Sequence, residues 1–294
     1  MATLIDLIGN TPLVELNKIN KNPKVKLYGK LEGHNPGGSV KDRAALGLIQ
    51  GALDAGTITK ESRLIEATSG NTGIALAMIA QLKGLSIELV MPENSTIERV
   101  KTMRAFGAKV TLTPADGGME AARDYVVEKV EKEGMICLDQ FNNPHNADMH
   151  YQSTGPEIWR DTAGKVTHFV SAMGTTGTIS GVARYLKEQN QEVKIVGAQP
   201  ADGAKIPGIR KWSEEYMPGI FRSDLVDFTI DVTEENAREM ARRLALEEGV
   251  FSGMSSGGCV YVATEIIKNL TEGIVVCIIC DRGDKYLSTD LFDF

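Results

Sequence analysis

Eight short β-rich runs, separated by stretches with helical periodicity, fix most of what this chain can fold into. The runs are "VKLYGKLE" (25–32), "RLIEAT" (63–68), "SIELVMP" (86–92), "AKVTLT" (108–113), "THFVSAM" (167–173), "VKIVGAQP" (193–200), "LVDFTIDV" (225–232) and "GIVVCIICD" (273–281). Helical patterns between them include "GNTGIALAMIAQLKG", "STIERVKTMRAFG" and "TEENAREMARRLALEEG", the last framed by Thr233 as cap and Gly249 as stop. Near-continuous apolar strands need cover on both faces, and a helix between successive strands is the crossover that parallel pairing requires. The expected class is α/β, with mostly parallel sheets flanked by helices. The 294 residues suffice for one large or two medium domains.

The alternation breaks at about 137–166, where "CLDQFNNPHNADMHYQSTGPEIWRDTAGK" is rich in Asn, Pro and His. A two-lobed molecule hinged there is expected, with residues 35–145 as a smaller mobile lobe and residues 1–34 and 146–294 as a larger one. The stretch "PADGAKIPGIRKWSEEYMPGIFRS" (200–223) is too long for a plain connector, and loops of that size carry function or disorder.

A net charge of −7 argues against nucleic acid or an anionic membrane as the main partner, so any anionic ligand needs local groups to hold it. No apolar run approaches the roughly 20 residues of a membrane span. The opening "MATLIDLIGNTPLVEL" has Asp6 within its apolar part and no basic lead, unlike a signal peptide. Four cysteines in this length suit a reducing, cytoplasmic setting. Cys277 and Cys280 form a C-x-x-C, but residues three apart on a strand face opposite sides and are not expected to bridge.

"NPGGSVKDRA" (35–44) poses a problem. Ser39 reads as a helix cap, which puts Lys41 in a first turn that carries roughly +0.5 charge and repels cations. A destabilised ammonium has a lowered pKa and is the better nucleophile. The Pro-Gly-Gly before it leaves room for something flat and bulky.

Three Gly-rich turns open helices. In "SAMGTTGTISG" (171–181), Gly174 and Gly177 let backbone N–H groups turn inward and three threonines add hydroxyls. Spacing alone leaves a phosphate cradle and an ordinary Gly/Thr turn equally open, and with no lysine following it is not a nucleotide P-loop. "EATSGNTGIALA" (66–77) offers Thr68, Ser69, Asn71 and Thr72, which suit a carboxylate, although a well-capped helix explains them too. "FSGMSSGGCVYVATEII" (251–267) opens a helix at Ser255 or Ser256, where capping alone would do. Convergence of all three turns, where open α/β sheets bind ligands, favours a site. His145 and His150 do not share a helical face and no cysteine is spaced to help, so a zinc site is not expected. G-x-S-x-G is missing as well. A nucleophilic lysine, a monophosphate cradle and no metal point to pyridoxal phosphate held as a Schiff base.

The combination "GNTPLV" (9–14), "NPGGSVKDRAA" (35–45), "EATSGNTGIALA", "QFNNPHN" (140–146), "GTTGT" (174–178) and "SGMSSGG" (252–258) resembles the cysteine synthase family of fold-type II pyridoxal-phosphate enzymes over essentially the whole chain. "KIPGIRKW" (205–212) and "CDRGDKYLS" (280–288) look more like the B branch of that family than its A branch. The resemblance implies a tryptophan synthase β-like fold, a homodimer, and β-replacement on O-acetyl-L-serine by sulfide or thiosulfate through an aminoacrylate, giving L-cysteine or S-sulfocysteine and acetate. It implies that Lys41 forms the internal aldimine and later takes the α-proton. Asn71 would bond the phenolic oxygen. Gly174, Thr175, Thr176, Gly177 and Thr178 would hold the phosphate, and Thr68, Ser69, Thr72 and Gln140 the substrate carboxylate. Ser255 would meet the pyridine nitrogen and leave it neutral, which suits elimination and disfavours transamination. Arg210 is expected either to reach an anionic co-substrate from a lid or to sit in a solvated basic turn with Trp212 packed on the core. Serine or threonine dehydratase and cystathionine β-synthase keep the same fold; their usual regulatory or haem extensions have no counterpart after the last strand here. A non-catalytic partner of serine acetyltransferase is the reading from another class, and an intact Lys41 weighs against it.

Overall fold

The computed structural model describes residues 1–293. Ten strands form two sheets: β1 (Leu13–Glu15), β2 (Val25–Leu31), β3 (Arg63–Ala67), β4 (Ser86–Pro92), β5 (Lys109–Thr113), β6 (Ile136–Cys137), β7 (His168–Ala172), β8 (Lys194–Pro200), β9 (Phe228–Val232) and β10 (Gly273–Ile279). The larger sheet has the order β1-β2-β10-β7-β8-β9 and the smaller β5-β4-β3-β6. Every pairing is parallel except β1 on β2, as covered apolar strands require. The helices are α1 (Lys41–Asp54), α2 (Asn71–Lys83), α3 (Ile97–Ala105), α4 (Gly118–Glu133), α5 (His145–Met149), α6 (Gly155–Asp161), α7 (Gly177–Gln189), α8 (Glu234–Glu248) and α9 (Met254–Ile267), with a wide turn over His150–Thr154 joining α5 to α6.

The smaller sheet shows why its central strands carry apolar residues on both faces. Leu64 and Leu89 pack on one face with Leu48, Ile74 and Leu76 of α1 and α2, while Ile65 and Val90 pack on the other with Ala122 and Val126 of α4. Alternate residues of one strand thus enter different cores. The larger sheet has its own core, in which Phe169, Val170, Ile195 and Val276 meet Val182 and Leu186 of α7 and Val260 and Val262 of α9. Each fully buried side chain of this size contributes about 1.5–3 kcal/mol.

Several expected boundaries shift. The strand expected at 225–232 begins at Phe228, because Ser223–Leu225 forms a 3-10 turn. The helix expected to open at Ser255 or Ser256 begins at Met254, with Gly253 at the cap position and no side-chain cap bond. Ser256 Oγ instead accepts the Cys280 N–H at 2.9 Å, which ties α9 to the end of β10. Thr233 does cap α8, accepting from Asn236 N, and Gly249 ends it in the left-handed region. The four cysteines are free thiols; Cys280 lies just beyond β10, so strand alternation does not govern it. No described helix is long and apolar enough to cross a membrane.

One polar cluster is deeply enclosed. Arg43 of α1 is fully buried and bonds both Glu32 (Nε to Oε2, 2.7 Å) and Glu157 of α6 (Nη1 to Oε1, 2.7 Å). Lys30 of β2, also fully buried, reaches Glu157 at 2.8 Å and donates to the Thr11 carbonyl at 2.7 Å. Lys30 also reaches Asp161 at 3.4 Å, so two cations sit against three carboxylates with their donors filled, the condition under which burial of charge is tolerated.

Candidate active site

A cavity of about 1060 Å³ opens between the two sheets. It is lined by Lys41, Thr68, Ser69, Asn71, Thr72, Gln140, Gly174, Thr175, Thr176, Thr178, Ser255 and Arg210. Of the residues singled out from sequence, only Gly177 is missing from that lining; it is buried beneath it, its N–H directed at Thr175 Oγ1. Strand C-terminal ends and helix starts bring these segments together, the position where parallel sheets place ligands.

Lys41 is the first residue of α1, which follows Val40 at the cap position. The Ser39 hydroxyl accepts the Lys41 N–H at 3.2 Å. The lysine is accessible only from the cavity, and burial pushes its ammonium below the usual lysine range; the nearby Cys280 and Asp281 work against this. The direction matches the sequence reading, with burial as the largest cause.

The turn at 174–178 has the features of an anion cradle. Thr176 sits at φ +67°, a left-handed conformation costly for a β-branched residue and typical of functional turns. Its hydroxyl is buried without a partner, and so is the Asn146 Oδ1 close by. Among the described residues no group takes the N–H of Thr175, Thr176 or Thr178. A Cβ on Gly177 would lie 2.2 Å from Asn146 Oδ1, so no larger residue fits. Asn146 Nδ2 donates to Thr175 Oγ1 at 3.1 Å. Beneath Thr178, His150 Nε2 lies 3.2 Å from its hydroxyl and His150 Nδ1 lies 2.8 Å from Thr154 Oγ1. Burial drives the imidazole down to about 3, so it is neutral. Unfilled donors at the start of α7 are the chemistry a phosphate monoester needs, so the residues fit pyridoxal phosphate.

Across the cavity, Thr72 Oγ1 donates to Gln140 Oε1 at 2.9 Å, and Thr68 is buried beside them. The Ser69 carbonyl accepts from Arg99 Nη1 at 3.3 Å. The Asn71 amide is held on both sides, by Lys285 and by Asp281. Ser255 is 4% exposed and faces Gly208, whose added Cβ would lie 3.4 Å from the serine Cβ.

The 205–212 loop matches neither expectation in full. Ile206 and Ile209 anchor it in the core, and the Arg210 N–H donates to the Met173 carbonyl at 2.8 Å. Trp212 is not packed on the core; its Nε1 donates to the Gly174 carbonyl at 2.8 Å and its ring meets Phe141 edge-on at 5.5 Å. The Arg210 guanidinium lies 5.5 Å from the Trp212 ring centroid and 5.9 Å from that of Phe141. Burial and the neighbouring Arg123 push its pKa down, while Lys211 pairs with Asp202 and Asp231.

Sequence reading missed Asn146, His150, Lys285 and Tyr286. Asn146 lay within a quoted motif, but nothing in "QFNNPHN" says which asparagine turns inward.

A family model described as "Pyridoxal-phosphate dependent enzyme" matches residues 4–281. The chain is 54% identical over 292 residues to the cysteine synthase B of Salmonella typhimurium, covering 99% of this chain and 96% of that one. Its structure superposes on the cysteine synthase of Entamoeba histolytica with a TM-score of 0.95 at 34% identity, covering 100% of this chain and 91% of the other. The crystal structure of an O-ureido-L-serine synthase matches with a TM-score of 0.94 at 36% identity, covering 100% and 95%.

Proposed function

The chain belongs to the pyridoxal-phosphate dependent enzyme family, and from that membership we propose that it is a cysteine synthase of the B type. It replaces the acetoxy group of O-acetyl-L-serine: the Cβ–O bond breaks, acetate leaves, and a Cβ–S bond forms to sulfide, giving L-cysteine. With thiosulfate the product is S-sulfocysteine. The observation that carries the reading is a lysine lining the cavity, its ammonium destabilised by burial, in the same cavity as an unfilled anion cradle.

Pyridoxal phosphate, when bound, supplies a carbonyl carbon for an amine and a conjugated ring that draws electron density from the substrate α-carbon. Lys41 is the residue that would hold it covalently. Once displaced, its neutral Nζ takes the α-proton as general base. Gly174 to Thr178 would hold the phosphate with backbone N–H groups and hydroxyls. Asn71 would donate to the ring oxygen, and the Ser255 hydroxyl would meet the ring nitrogen without protonating it. Thr68, Ser69, Thr72 and Gln140 orient the substrate carboxylate and so fix which α-bond breaks. Residues 35–145 form a smaller lobe that closes on that carboxylate and excludes water, leaving the sulfur nucleophile without a competitor. Arg210 meets an anionic sulfur donor. The enzyme works as a homodimer in the cytoplasm; the four free cysteines support the compartment.

Steady-state assays with O-acetylserine and sulfide test the reaction, with L-serine as the alternative substrate. Cysteine and acetate from O-acetylserine are expected. Turnover of serine to pyruvate or to a thioether, with O-acetylserine inert, would favour a dehydratase or cystathionine β-synthase instead. Sedimentation of the purified protein tests the dimer.

A further inference from the structure

Lys285 lies on the 3-10 turn Gly283–Tyr286, and its ammonium serves three acceptors at once. It donates to the Gly37 carbonyl at 2.9 Å, the Gly38 carbonyl at 3.1 Å and Asn71 Oδ1 at 2.9 Å. Those are all the hydrogens an ammonium has. On the opposite side of the same amide, Asn71 Nδ2 donates to Asp281 Oδ2 at 2.7 Å. Asp281 is itself fixed, since it accepts the Tyr286 hydroxyl at 2.6 Å and the Gly253 N–H at 3.2 Å.

An ammonium can only donate, and an ionised carboxylate can only accept. With one on each side, the Asn71 amide has a single permitted orientation, which is settled by chemistry even though its oxygen and nitrogen are nearly alike in shape. Its oxygen is occupied and one N–H is occupied. What remains unused on the nitrogen is the second Nδ2–H, so Asn71 has a free donor for a ligand beside Lys41, while its oxygen is held against the Lys285 ammonium. We infer that Lys285 is a positioning residue that locks Asn71 as a donor toward an acceptor atom on the bound cofactor ring. This rests on the cofactor reading above.

The same ammonium also braces the turn that leads into Lys41. Gly38 stands at φ +79°, a backbone conformation that favours glycine, and a Cβ there would come 3.3 Å from Lys285 Nζ and crowd the ammonium. A lysine on a surface turn would ordinarily be solvated; this one is half-buried, with its charge lowered by burial and favoured by Asp281 and Asp42. Without it, a half-turn of the amide would set Asn71 Oδ1 against an acceptor, which repels.

The test uses the cofactor-loaded enzyme and two readouts besides turnover, the visible absorption spectrum and the dissociation constant for added pyridoxal phosphate. Lys285→Met keeps the apolar stem and removes the donors. It should shift the visible band and weaken cofactor retention about tenfold, the scale of one hydrogen bond to a charged group. Lys285→Arg, which keeps the cation, should recover part of both. In an Asn71→Ala background Lys285→Met should cost much less, only what its bonds to the Gly37 and Gly38 carbonyls supply, because the rest of its effect runs through the amide. An unchanged spectrum in Lys285→Met, or an undiminished effect in the Asn71→Ala background, overturns the inference. If Lys285→Met does not fold, Lys285→Gln carries the same comparison. A wild-type protein without any visible band would instead refute the cofactor reading itself.

Discussion

Asp42, the neighbour of Lys41, gives the stability of this protein a pH dependence whose sign and size follow from its surroundings. Its side chain is fully enclosed, one oxygen takes the Gly37 N–H and the other, Oδ1, has no partner. Burial raises the carboxyl from 3.8 to about 7, although Gly37 and the Lys285 charge pull it back. A folded-state pKa above the unfolded one means stability that is complete below about pH 3.8 and lost as pH rises through about 7. The gap corresponds to about 4 kcal/mol between the two limits. Asp42→Asn removes the titration while leaving an oxygen for Gly37. Between pH 5 and pH 8 the variant should therefore gain about 2–3 kcal/mol on the wild type. Urea unfolding followed by the fluorescence of Trp159 and Trp212, with both proteins equally loaded with cofactor, measures this. A difference that stays constant with pH, or that shrinks as pH rises, would refute the reasoning.

Lys41→Ala should abolish turnover and leave unfolding unchanged within about 1 kcal/mol, because alanine is a good helix former at the start of α1. Borohydride reduction and peptide mapping of the wild type should place the cofactor label on Lys41; a label on another lysine refutes the assignment. Arg210→Ala should lower kcat/KM for thiosulfate by about 1.5–3 kcal/mol, as for a charged hydrogen bond, and hardly alter the sulfide reaction. Equal losses with both donors would mean that Arg210 only orders its loop over Phe141 and Trp212. Saturating substrate amino acid should slow hydrogen exchange in α2 and α3, and equal exchange with and without it would argue for a rigid site.

Much of this was legible in the chain because the relevant signals are local. "SIELVMP" has apolar residues on both faces, interrupted by Ser86 and Glu88, and is β4 from its first residue to its last. Thr233 and Gly249 bracket α8 because a cap and a stop act on adjacent residues only. β1 and β6 left no trace in the sequence, being three and two residues long, too short for any periodicity. The start of α9 is not legible because Ser255 and Ser256 look like caps, whereas Gly253 takes the cap position and Ser256 accepts the Cys280 N–H. The cradle was readable as glycines and threonines, whereas the orphaned Thr176 hydroxyl was not, since only packing decides which hydroxyl lacks a partner. Lys285 was out of reach for another reason: Asn71 lies 214 residues away along the chain, and no local pattern in "CDRGDKYLS" announces that contact.

The buried cluster around Arg43 also governs how this chain can come into being. Lys30, Glu32 and Arg43 leave the ribosome early, but Glu157, which balances the second cation, lies 114 residues beyond Arg43. Until it arrives, two cations face one carboxylate, and enclosing them would strand a charge at a cost of several kcal/mol. Lys30 and Arg43 therefore cannot both be enclosed with their charges balanced until α6 is made. Nor can the chain be cut between these residues into halves that fold separately: such fragments should be insoluble alone and recover structure only when mixed.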